Sequence, residues 1–384
     1  MDLSKILNKD QRKSIMDALL TPFSWAYGAA VWLRQTAFNI GLLPQEEFEV
    51  PVVSVGNITV GGTGKTPHVE YIIESLYRRY HVAVLSRGYK RKTKGFILAS
   101  NNMTPRDIGD EPYQIYRKYG SLITLAVCEN RRKGINQLLN IDPSINLILL
   151  DDAFQHRYVK PKVSIVLMDY NRPCYNDRLM PLGTLREPVT SLTRCNMVIV
   201  TKCPSDITPV DIRMMKNDLE QYMFPPPSQH LFFSNIRYAD PVPVFPVQSP
   251  QLTSLHWLHP DDAVLCVTGI ATPKPLVRYL RQFQASVKVM HFDDHHFFTR
   301  KDFSLIFKVF KSLEGKRKFI ITTEKDAVRI MNNPYYPPTK RNIIFYIPMK
   351  VGILANEGGD FIECLVNLID KTGESPTLSS DYGQ

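Results

Sequence analysis

Residues 51–71, PVVSVGNITVGGTGKTPHVEY, constrain the fold of this chain more than any other stretch. They begin with an apolar, β-branched run that is typical of a buried parallel strand. A glycine-rich turn follows, and Pro67 suits the first turn of a helix. In such a strand–loop–helix, backbone N–H groups converge on phosphate oxygens, a lysine reaches the outer phosphates and a hydroxyl ligates Mg²⁺. The stretch therefore predicts a nucleotide phosphate-binding loop, rather than a glycine-rich turn that happens to precede Lys-Thr.

The predicted loop differs from the usual G-x-x-x-x-G-K-[ST] pattern at its first position, where this chain has Thr59. We expect eight consecutive residues of this variant loop to bind the nucleotide: Thr59, Val60, Gly61, Gly62, Thr63, Gly64, Lys65 and Thr66. Lys65 is predicted to reach the β- and γ-phosphates, and Thr66 to ligate Mg²⁺. A second Mg²⁺ ligand belongs at a later strand end in this class of fold. The apolar run at residues 145–150 ends in Asp151 and Asp152, so either of these carboxylates is predicted to share the metal.

Apolar runs of strand length alternate with helical stretches along the rest of the chain. We predict strands at residues 82–85, 122–127, 163–168, 197–200, 264–268, 287–291, 319–323 and, as the last strand, 343–348. This alternation implies a parallel sheet covered on both faces, with ligands at the carboxyl ends of its strands. The predicted fold class is α/β: a P-loop NTPase-like, mainly parallel sheet sandwiched by helices, with a second, smaller α/β domain.

Chain length and proline distribution suggest how the chain is divided. A length of 384 residues suits about two domains of ~150 residues with extensions. Prolines cluster at residues 225–227 and recur up to residue 250. The predicted segments are an N-terminal membrane-interfacial helical segment (1–45), a P-loop core domain (46–224), an extended linker (225–260), a smaller α/β domain (261–370) and a disordered tail (371–384).

The N-terminal segment is basic at first and then apolar and aromatic. Residues 18–33 carry no charge, but they are too few for a comfortable bilayer span of about 20 apolar residues. A secretory signal would carry the nucleotide loop away from ATP, and the aromatic residues and Pro22 fit it poorly. Two readings stay open: a helix that lies in a membrane interface, or a helix packed on its own domain.

The formal net charge of +10 favours an anionic partner, which could be a phosphorylated substrate, an acidic membrane surface or nucleic acid. Nucleic acid is disfavoured, because the sequence has no RNP-type aromatic set, no helix-turn-helix signal and no zinc-ligand spacing. The six cysteines are scattered without a C-x-x-C pair, so we interpret them as reduced and structural, as in a cytoplasmic protein.

The predicted strand at 197–200 ends in Thr201-Lys202-Cys203-Pro204. This sequence resembles the base-reading loop of GTP-binding proteins, except that Pro204 stands where those proteins have the guanine-reading Asp. The difference favours ATP over GTP as the nucleotide.

An ordered set of motifs follows the nucleotide loop: G-D-E-P (109–112), D-D-x-x-Q-H (151–156), L-R-E-P (185–188), D-H (294–295) and T-E-K-D-A-V (323–328). S-W-x-Y-G at 24–28 and S-R-G-Y at 86–89 belong to the same set. With these motifs the chain resembles the tetraacyldisaccharide 4'-kinase family of lipid A biosynthesis over about residues 20–330. Residues 181–184, Pro-Leu-Gly-Thr, depart from the family's more usual Pro-Ala-Gly-Pro. This difference affects the expected local shape of the loop more than its chemistry.

The resemblance implies a phosphotransferase that uses ATP and Mg²⁺ to phosphorylate the 4'-hydroxyl of a tetraacyldisaccharide 1-phosphate, giving lipid IVA. It implies a membrane-embedded lipid A disaccharide precursor as the substrate. It also implies peripheral contact with the cytoplasmic face of the inner membrane of a Gram-negative bacterium. The basic net charge agrees with a phosphorylated substrate and acidic lipid headgroups.

The resemblance also assigns roles to residues that the nucleotide loop does not explain. An alcohol acceptor needs a base for its proton, and the family pattern places Asp110 in this role with His295 as its partner from the second domain. His295 is preferred to His296 because it directly follows the Asp of the D-H motif. Glu187 is a further expected group at the metal, and Arg131 is expected to hold a phosphate or the leaving group.

Two other functional classes share parts of this pattern. A ligase-type P-loop enzyme that uses ATP has the same sheet and Mg²⁺ residues, but it has no need for an interfacial helix. A nucleotide-switched regulator hydrolyses its nucleotide slowly and changes partners, whereas an enzyme turns over a defined acceptor.

Overall fold

The computed structural model describes residues 9–225, 228–246, 252–294, 296–354 and 357–371, with side chains from residue 17 onward. Its helices are α1 (Lys9–Asn39), α2 (Lys65–Leu76), α3 (Pro105–Ile108), α4 (Asp110–Tyr119), α5 (Arg131–Ile141), α6 (Pro209–Glu220), α7 (Lys274–Leu280), α8 (Arg300–Lys311), α9 (Glu324–Met331) and α10 (Gly358–Asp370). Its strands are β1 (Val52–Gly56), β2 (Val82–Ser86), β3 (Ile97–Leu98), β4 (Thr124–Val127), β5 (Leu147–Asp151), β6 (Val163–Asp169), β7 (Met197–Thr201), β8 (His230–Tyr238), β9 (Val242–Pro243), β10 (Ala263–Thr268), β11 (Ser286–His291), β12 (Lys318–Thr323), β13 (Ile344–Ile347) and β14 (Met349–Ile353).

The chain forms two compact units, each assembled from separate stretches of sequence. The first unit comprises Met1–Thr63, Asn146–Ser234 and Ile353–Gln384, and the second comprises Gly64–Ile145 and Asn235–Gly352. The domain boundaries expected from the sequence stay a prediction, and the expected disordered tail lies outside the described residues from position 372 onward.

The first unit is built on five parallel strands in the order β8-β7-β6-β1-β5. Every residue of β1, β5 and β7 is buried, as expected for β-branched and leucine-rich runs that are covered on both faces. Apolar side chains of β6 and β7 pack with those of the loops that follow β5 and β6, including Phe154 and Leu185. The core therefore lies directly beneath the loops at the carboxyl ends of the strands.

The second unit contains a parallel β2–β4 pair with β3 antiparallel to β4. It also contains a five-stranded sheet in the order β11-β10-β12-β13-β9, in which β9 alone is antiparallel among the described strands. Successive side chains of β10 enter two different core clusters: Leu265 packs in one, and Cys266 packs in the other. Both faces of this sheet are therefore covered, as the alternation of strands and helices predicts.

The structure confirms the predicted α/β class, with mostly parallel sheets and helices. One expectation is wrong: the strand predicted at 343–348 is not the last strand, because β14 follows it. β8 lies within the segment expected to be an extended linker, and it pairs with β7 in the first unit.

Helix α1 packs one face on the first unit. The Ser24 hydroxyl donates to the carbonyl of Leu179 at 2.9 Å, and the Tyr27 hydroxyl donates to the carbonyl of Arg186 at 2.8 Å. The other face is apolar and exposed, and it carries Leu19, Phe23, Trp25, Trp32 and Leu33. No helix within the described ranges combines the length and apolar character needed to cross a bilayer. The two readings of this segment are therefore compatible, since one face is packed and the other is uncovered.

Candidate functional site

The nucleotide loop begins where β1 meets the segment that follows β5. A Cβ atom on Gly56 would stand 2.6 Å from Cβ of Phe154 and 2.9 Å from its backbone nitrogen, so this position requires glycine. One residue further on, the side-chain amide of Gln155 donates to the carbonyl of Asn57 at 2.7 Å. The D-D-x-x-Q-H motif and the start of the loop are thus joined directly.

The first half of the loop is held by hydrogen bonds from several sides. Nδ2 of Asn57 donates to the Thr63 hydroxyl at 3.0 Å, and both residues are fully buried. The Thr201 hydroxyl, at the end of β7, donates to the Thr63 carbonyl at 2.8 Å. The N–H of Val60 donates to the carbonyl of Thr184 at 2.8 Å. The loop is therefore fixed by its own side chains, by β7 and by the long loop that follows β6.

Two cationic side chains hold carbonyl groups of the same loop. Arg172 donates from Nη2 to the Val60 carbonyl at 2.7 Å. Lys202 donates to the Gly62 carbonyl and pairs with Asp169 at 2.6 Å. These cations add positive charge beside the loop, which suits an anionic ligand.

The loop ends in a left-handed residue and a helix start, both in the second unit. Gly64 precedes α2 with φ 86°, a conformation that glycine adopts without steric cost. Lys65 and Thr66 are the first two residues of α2, and the first turn contains no acidic residue. The backbone N–H groups and the dipole at a helix start favour an anion there.

His68 secures this helix start from within. It is completely buried, and its Nδ1 lies 2.8 Å from the Gly64 carbonyl. Burial lowers the pKa of His68 to about 4, and the contact with Gly64 opposes the shift only partly. The ring is therefore neutral at physiological pH, and its Nδ1–H donates to the carbonyl.

We expect His68 to make the fold sensitive to acid. The unfolded chain binds a proton at this position below about pH 6.5, whereas the folded chain does so only near pH 4. The contribution of His68 to stability is therefore complete above pH 6.5 and is lost as the pH falls towards 4, by about 3 kcal/mol in total. Urea unfolding at pH 7.5 and pH 4.5 should show a smaller loss of unfolding free energy in His68→Asn than in the parent protein. Equal losses in the two proteins would contradict the assignment.

The two predicted metal carboxylates close β5. Asp151 is buried, and Asp152 adopts a left-handed conformation with φ 48°. Such a conformation is uncommon outside glycine and is often found at functional sites. Nη1 of Arg186 lies 3.5 Å from Oδ1 of Asp152, so the L-R-E-P and D-D motifs meet here.

Glu187 is a buried carboxylate of the same unit. It pairs with Arg194, whose guanidinium stacks over the ring of Phe154 at 4.4 Å. Burial raises the pKa of Glu187, and the Arg194 charge opposes this rise. Among the residues that the structure describes, none donates a hydrogen bond to the buried Oε1 of Glu187. Such an oxygen suits a ligand, an ion or an ordered water molecule.

These oxygen donors fit Mg²⁺ better than a transition metal. Within the described ranges, no three His, Cys, Asp or Glu side chains come together as a metal-binding group. Mg²⁺ needs no such group, because it is usually bound by one or two carboxylates and the substrate phosphates while it retains several waters. The carboxylates of Asp151, Asp152 and Glu187 in the first unit supply oxygen atoms only.

Asp110, the predicted base, is the first residue of α4 in the second unit. Its Oδ2 accepts hydrogen bonds from Nε of Arg329 at 3.0 Å and from Nη2 at 2.6 Å. The Arg329 side chain is 3% exposed. Asp110 is thus held by a buried cation from α9.

Arg131, another predicted residue, also falls in the second unit. Arg131 starts α5, and its buried side chain donates to the Cys128 carbonyl at 2.6 Å, so it supports the end of β4. His295 lies outside the described residues. The segment on either side of it lies near Gly269, since a Cβ there would be 3.3 Å from Cβ of His296 and 3.4 Å from the carbonyl of Asp293. The Gly269 carbonyl in turn accepts from Arg329 at 3.1 Å.

Comparison with known proteins identifies a family model and similar proteins that match this chain over most of its length. The protein-family model described as tetraacyldisaccharide-1-P 4'-kinase (LpxK) matches residues 16–369. The chain belongs to this family. A tetraacyldisaccharide 4'-kinase of Bacteroides thetaiotaomicron is 45% identical over 366 residues, which cover 94% of this chain and 95% of that protein. A tetraacyldisaccharide 4'-kinase of Flavobacterium psychrophilum is 37% identical over 353 residues, which cover 92% of this chain and 97% of that protein.

The likeness extends to the fold. A crystal structure of LpxK from Aquifex aeolicus, in complex with ATP, superposes with a TM-score of 0.69. The two chains are 24% identical, and the match covers 92% of this chain and 99% of that chain. The resemblance inferred from the ordered motifs is therefore confirmed, for the family and for the fold.

Three contacts in the candidate site, made by Arg172, Arg329 and Gln155, were not predicted from the sequence. Arg172 follows the strand-end residue Asp169 by three positions, and cationic residues at strand ends near a phosphate loop could have indicated it. Arg329 comes directly after the T-E-K-D-A-V motif, so extending that motif by one residue would have included it. Gln155 was part of a recognised motif, but its contact with Asn57 was not foreseen.

Proposed function

We propose that this chain transfers the γ-phosphoryl group of ATP to the 4'-hydroxyl of a tetraacyldisaccharide 1-phosphate, giving lipid IVA. The observation that carries this proposal is the family match over residues 16–369. The geometry of the phosphate loop also supports the proposal. The loop is hydrogen-bonded to β7 and to the loop that carries Glu187.

In the proposed reaction, the loop residues 59–64 bind the nucleotide through their backbone N–H groups, and Lys65 neutralises charge on the β- and γ-phosphates. Thr66 with Asp151 or Asp152, and Glu187 as a further group, would hold Mg²⁺ by the family motif. Bound Mg²⁺ supplies charge neutralisation at the phosphates. Phosphoryl transfer mainly requires positioning and electrostatic stabilisation, so a rigid loop is the appropriate structural element.

Asp110 is proposed to accept the proton of the 4'-hydroxyl as the new P–O bond forms. His295 is proposed as its partner, and Arg131 as a group that holds a phosphate or the leaving nucleotide. Support for Asp110 comes from its buried cationic neighbour Arg329, which favours the ionised carboxylate that a base requires.

The test is incubation of the purified protein with γ-³²P-labelled ATP and a lipid A disaccharide 1-phosphate precursor, followed by separation of the lipids. A labelled lipid that appears only with both substrates is the expected result. A folded protein that labels no lipid would overturn the proposal. A ligase would instead consume ATP with a carboxylate and an amine acceptor, and a regulator would hydrolyse ATP slowly without using the lipid.

We also propose that the protein binds peripherally to the cytoplasmic face of the inner membrane of a Gram-negative bacterium, through the outward face of α1. This face carries two tryptophans that are 73% and 63% exposed, Trp25 and Trp32, among aliphatic and phenylalanine side chains. No charged residue interrupts positions 18–33, and basic residues precede them in the sequence. An apolar, aromatic helix face with a basic flank is typical of interfacial helices, and it gives access to a substrate that stays in the bilayer.

Replacing both tryptophans is expected to release the protein from membranes. A Trp25→Ser/Trp32→Ser double variant should bind vesicles of phosphatidylethanolamine and phosphatidylglycerol at least about tenfold more weakly, because each buried aromatic contributes about 1.5–3 kcal/mol. Cosedimentation measures the effect. The matched control is Trp257→Ser, since Trp257 is 61% exposed but lies in the second unit. Equal binding by the double variant and the control would exclude α1 as the membrane contact.

A further inference from the structure

Arg329 uses all three guanidinium nitrogens, and each is directed to a defined acceptor. Nε and Nη2 donate to the same carboxylate oxygen of Asp110, at 3.0 and 2.6 Å. Nη1 donates to Oδ1 of Asp326 at 2.9 Å and to the carbonyl of Gly269 at 3.1 Å. A guanidinium engaged on every side cannot rotate without losing hydrogen bonds, so it fixes the direction from which Asp110 is held.

Asp326 anchors this arrangement in the core of the second unit. It is fully buried, and its Oδ2 accepts from the N–H of Gly269 at 2.8 Å and from the Thr323 hydroxyl at 2.7 Å. Gly269 follows β10, and Thr323 ends β12, so two strand ends hold the carboxylate that holds Arg329. The chain of contacts from the sheet to Asp110 is therefore continuous.

Arg329 supplies the positive charge between two carboxylates, Asp110 and Asp326, whose negative charges repel each other. Burial alone would lower the pKa of Arg329, but the carboxylates of Asp110 and Asp326 raise it. Arg329 is therefore always cationic. A permanent cation bonded twice to one carboxylate oxygen favours the ionised form of that carboxylate and restricts its rotation.

We propose that Arg329 is a positioning residue for the phosphoryl transfer: it holds Asp110 ionised and oriented to take the proton of the acceptor hydroxyl. This inference rests on the proposed function, because it requires Asp110 to be the base. Arg329 acts through Asp110 and transfers no proton itself, so its loss should slow turnover and change the pH dependence without removing the nucleotide site.

Within the described residues, α9, α3, α2 and β4 pack on α4. Their titratable and charged groups are Glu324, Lys325, Asp326 and Arg329 of α9, Arg106 and Asp107 of α3, and Lys65, His68, Glu70 and Glu74 of α2, and Glu111 follows Asp110 on α4 itself. Lys325 pairs with Glu111 at 2.5 Å, and Arg106 lies over the ring of Phe297 at 4.2 Å. The Lys325–Glu111 pair thus joins the same two helices as Arg329–Asp110, but it does not involve the proposed base.

This second pair supplies a matched control. We compare Arg329→Gln with Lys325→Gln, which removes the same charge from the same helix. In Arg329→Gln, kcat for lipid phosphorylation should fall by about 10- to 100-fold while KM for ATP changes by less than about twofold. The acidic limb of its pH profile for kcat/KM should move to higher pH, because Asp110 loses the cation that favours its ionised form. Lys325→Gln should keep kcat within about twofold of the parent value. Its acidic limb should stay within a few tenths of a pH unit of the parent's.

Arg329→Lys separates charge from geometry. A lysine keeps the cation but lacks the planar fork, so the acidic limb should stay near its parental position while kcat recovers only in part. If Arg329→Gln does not fold, Arg329→Lys carries the test alone, and a parental kcat there would overturn the inference. An acidic limb that does not move in folded Arg329→Gln would overturn it as well. Failure of the proposed function is distinguishable, since the parent protein would then label no lipid.

Discussion

A Lys65→Met variant is expected to lose about 10²- to 10³-fold in kcat for phosphoryl transfer while remaining folded. Lys65 opens α2 directly after the left-handed Gly64, where the loop and the helix start favour phosphate groups. Without its ammonium group, the negative charge that shifts onto the outer phosphates during transfer loses its nearest proposed counter-charge. The measurement is single-turnover transfer of labelled phosphate to the lipid, with the Tm recorded alongside.

The Tm of Lys65→Met should stay close to the parental value although its transfer activity falls. A cation at a helix N-terminus is unfavourable against the helix dipole, so its removal costs the fold little. The matched control is Lys216→Met on the exposed surface of α6, where Lys216 lies 3.9 Å from Glu220. This control should retain parental transfer. If the transfer rate of Lys65→Met were within tenfold of that of the control, Lys65 would be excluded from the phosphate site.

An Asp110→Asn variant is expected to lose about 10²- to 10⁴-fold in transfer, because an amide cannot accept the proton of the acceptor hydroxyl. The amide keeps nearly the same shape and can still accept a hydrogen bond from Arg329, so ATP binding should stay within about twofold of the parent. The Tm should fall, because Arg329 is buried and loses one of its two neutralising carboxylates. Transfer and ATP binding are therefore measured well below the unfolding temperature.

The neighbouring Glu111 provides the comparison for this variant. Glu111→Gln removes the same charge from the next residue and breaks the ion pair to Lys325. We expect it to lower stability modestly and to leave transfer within a few-fold of the parent. If Asp110→Asn turned over as fast as Glu111→Gln, Asp110 would not be the base, and the role of Arg329 would fall with it.

The parts of the site that could be predicted from the sequence are those in which the functional residues lie within the short sequence motif that indicates them. The buried strand, glycine turn and helix start around Lys65 are contiguous, so local propensity and motif agree. The same holds for Asp151 and Asp152 at the end of β5. In each case, the conformation is determined by neighbours within a few positions.

Contacts between distant residues could not be predicted in this way. Arg329 lies 219 positions from Asp110, and Arg172 lies 112 positions from Val60. Nothing in the local sequence indicates which carboxylate or carbonyl each arginine will contact, because this depends on how the strands and helices assemble. Helix α10 differs in this respect: Phe361, Leu365 and Ile369 are buried and recur at helical spacing, so this helix is visible in the local sequence.

The hydrogen bonds of α1 restrict how its sequence can change. Ser24 and Tyr27 are bonded to the backbone of the loop that carries Glu187, while Trp25 and Trp32 point away from it. One residue inserted between Tyr27 and Trp32 would rotate everything beyond it by about 100° and turn the second tryptophan out of line with the first. Homologues should therefore vary the length of this helix ahead of Asp17, where no such angular register must be kept.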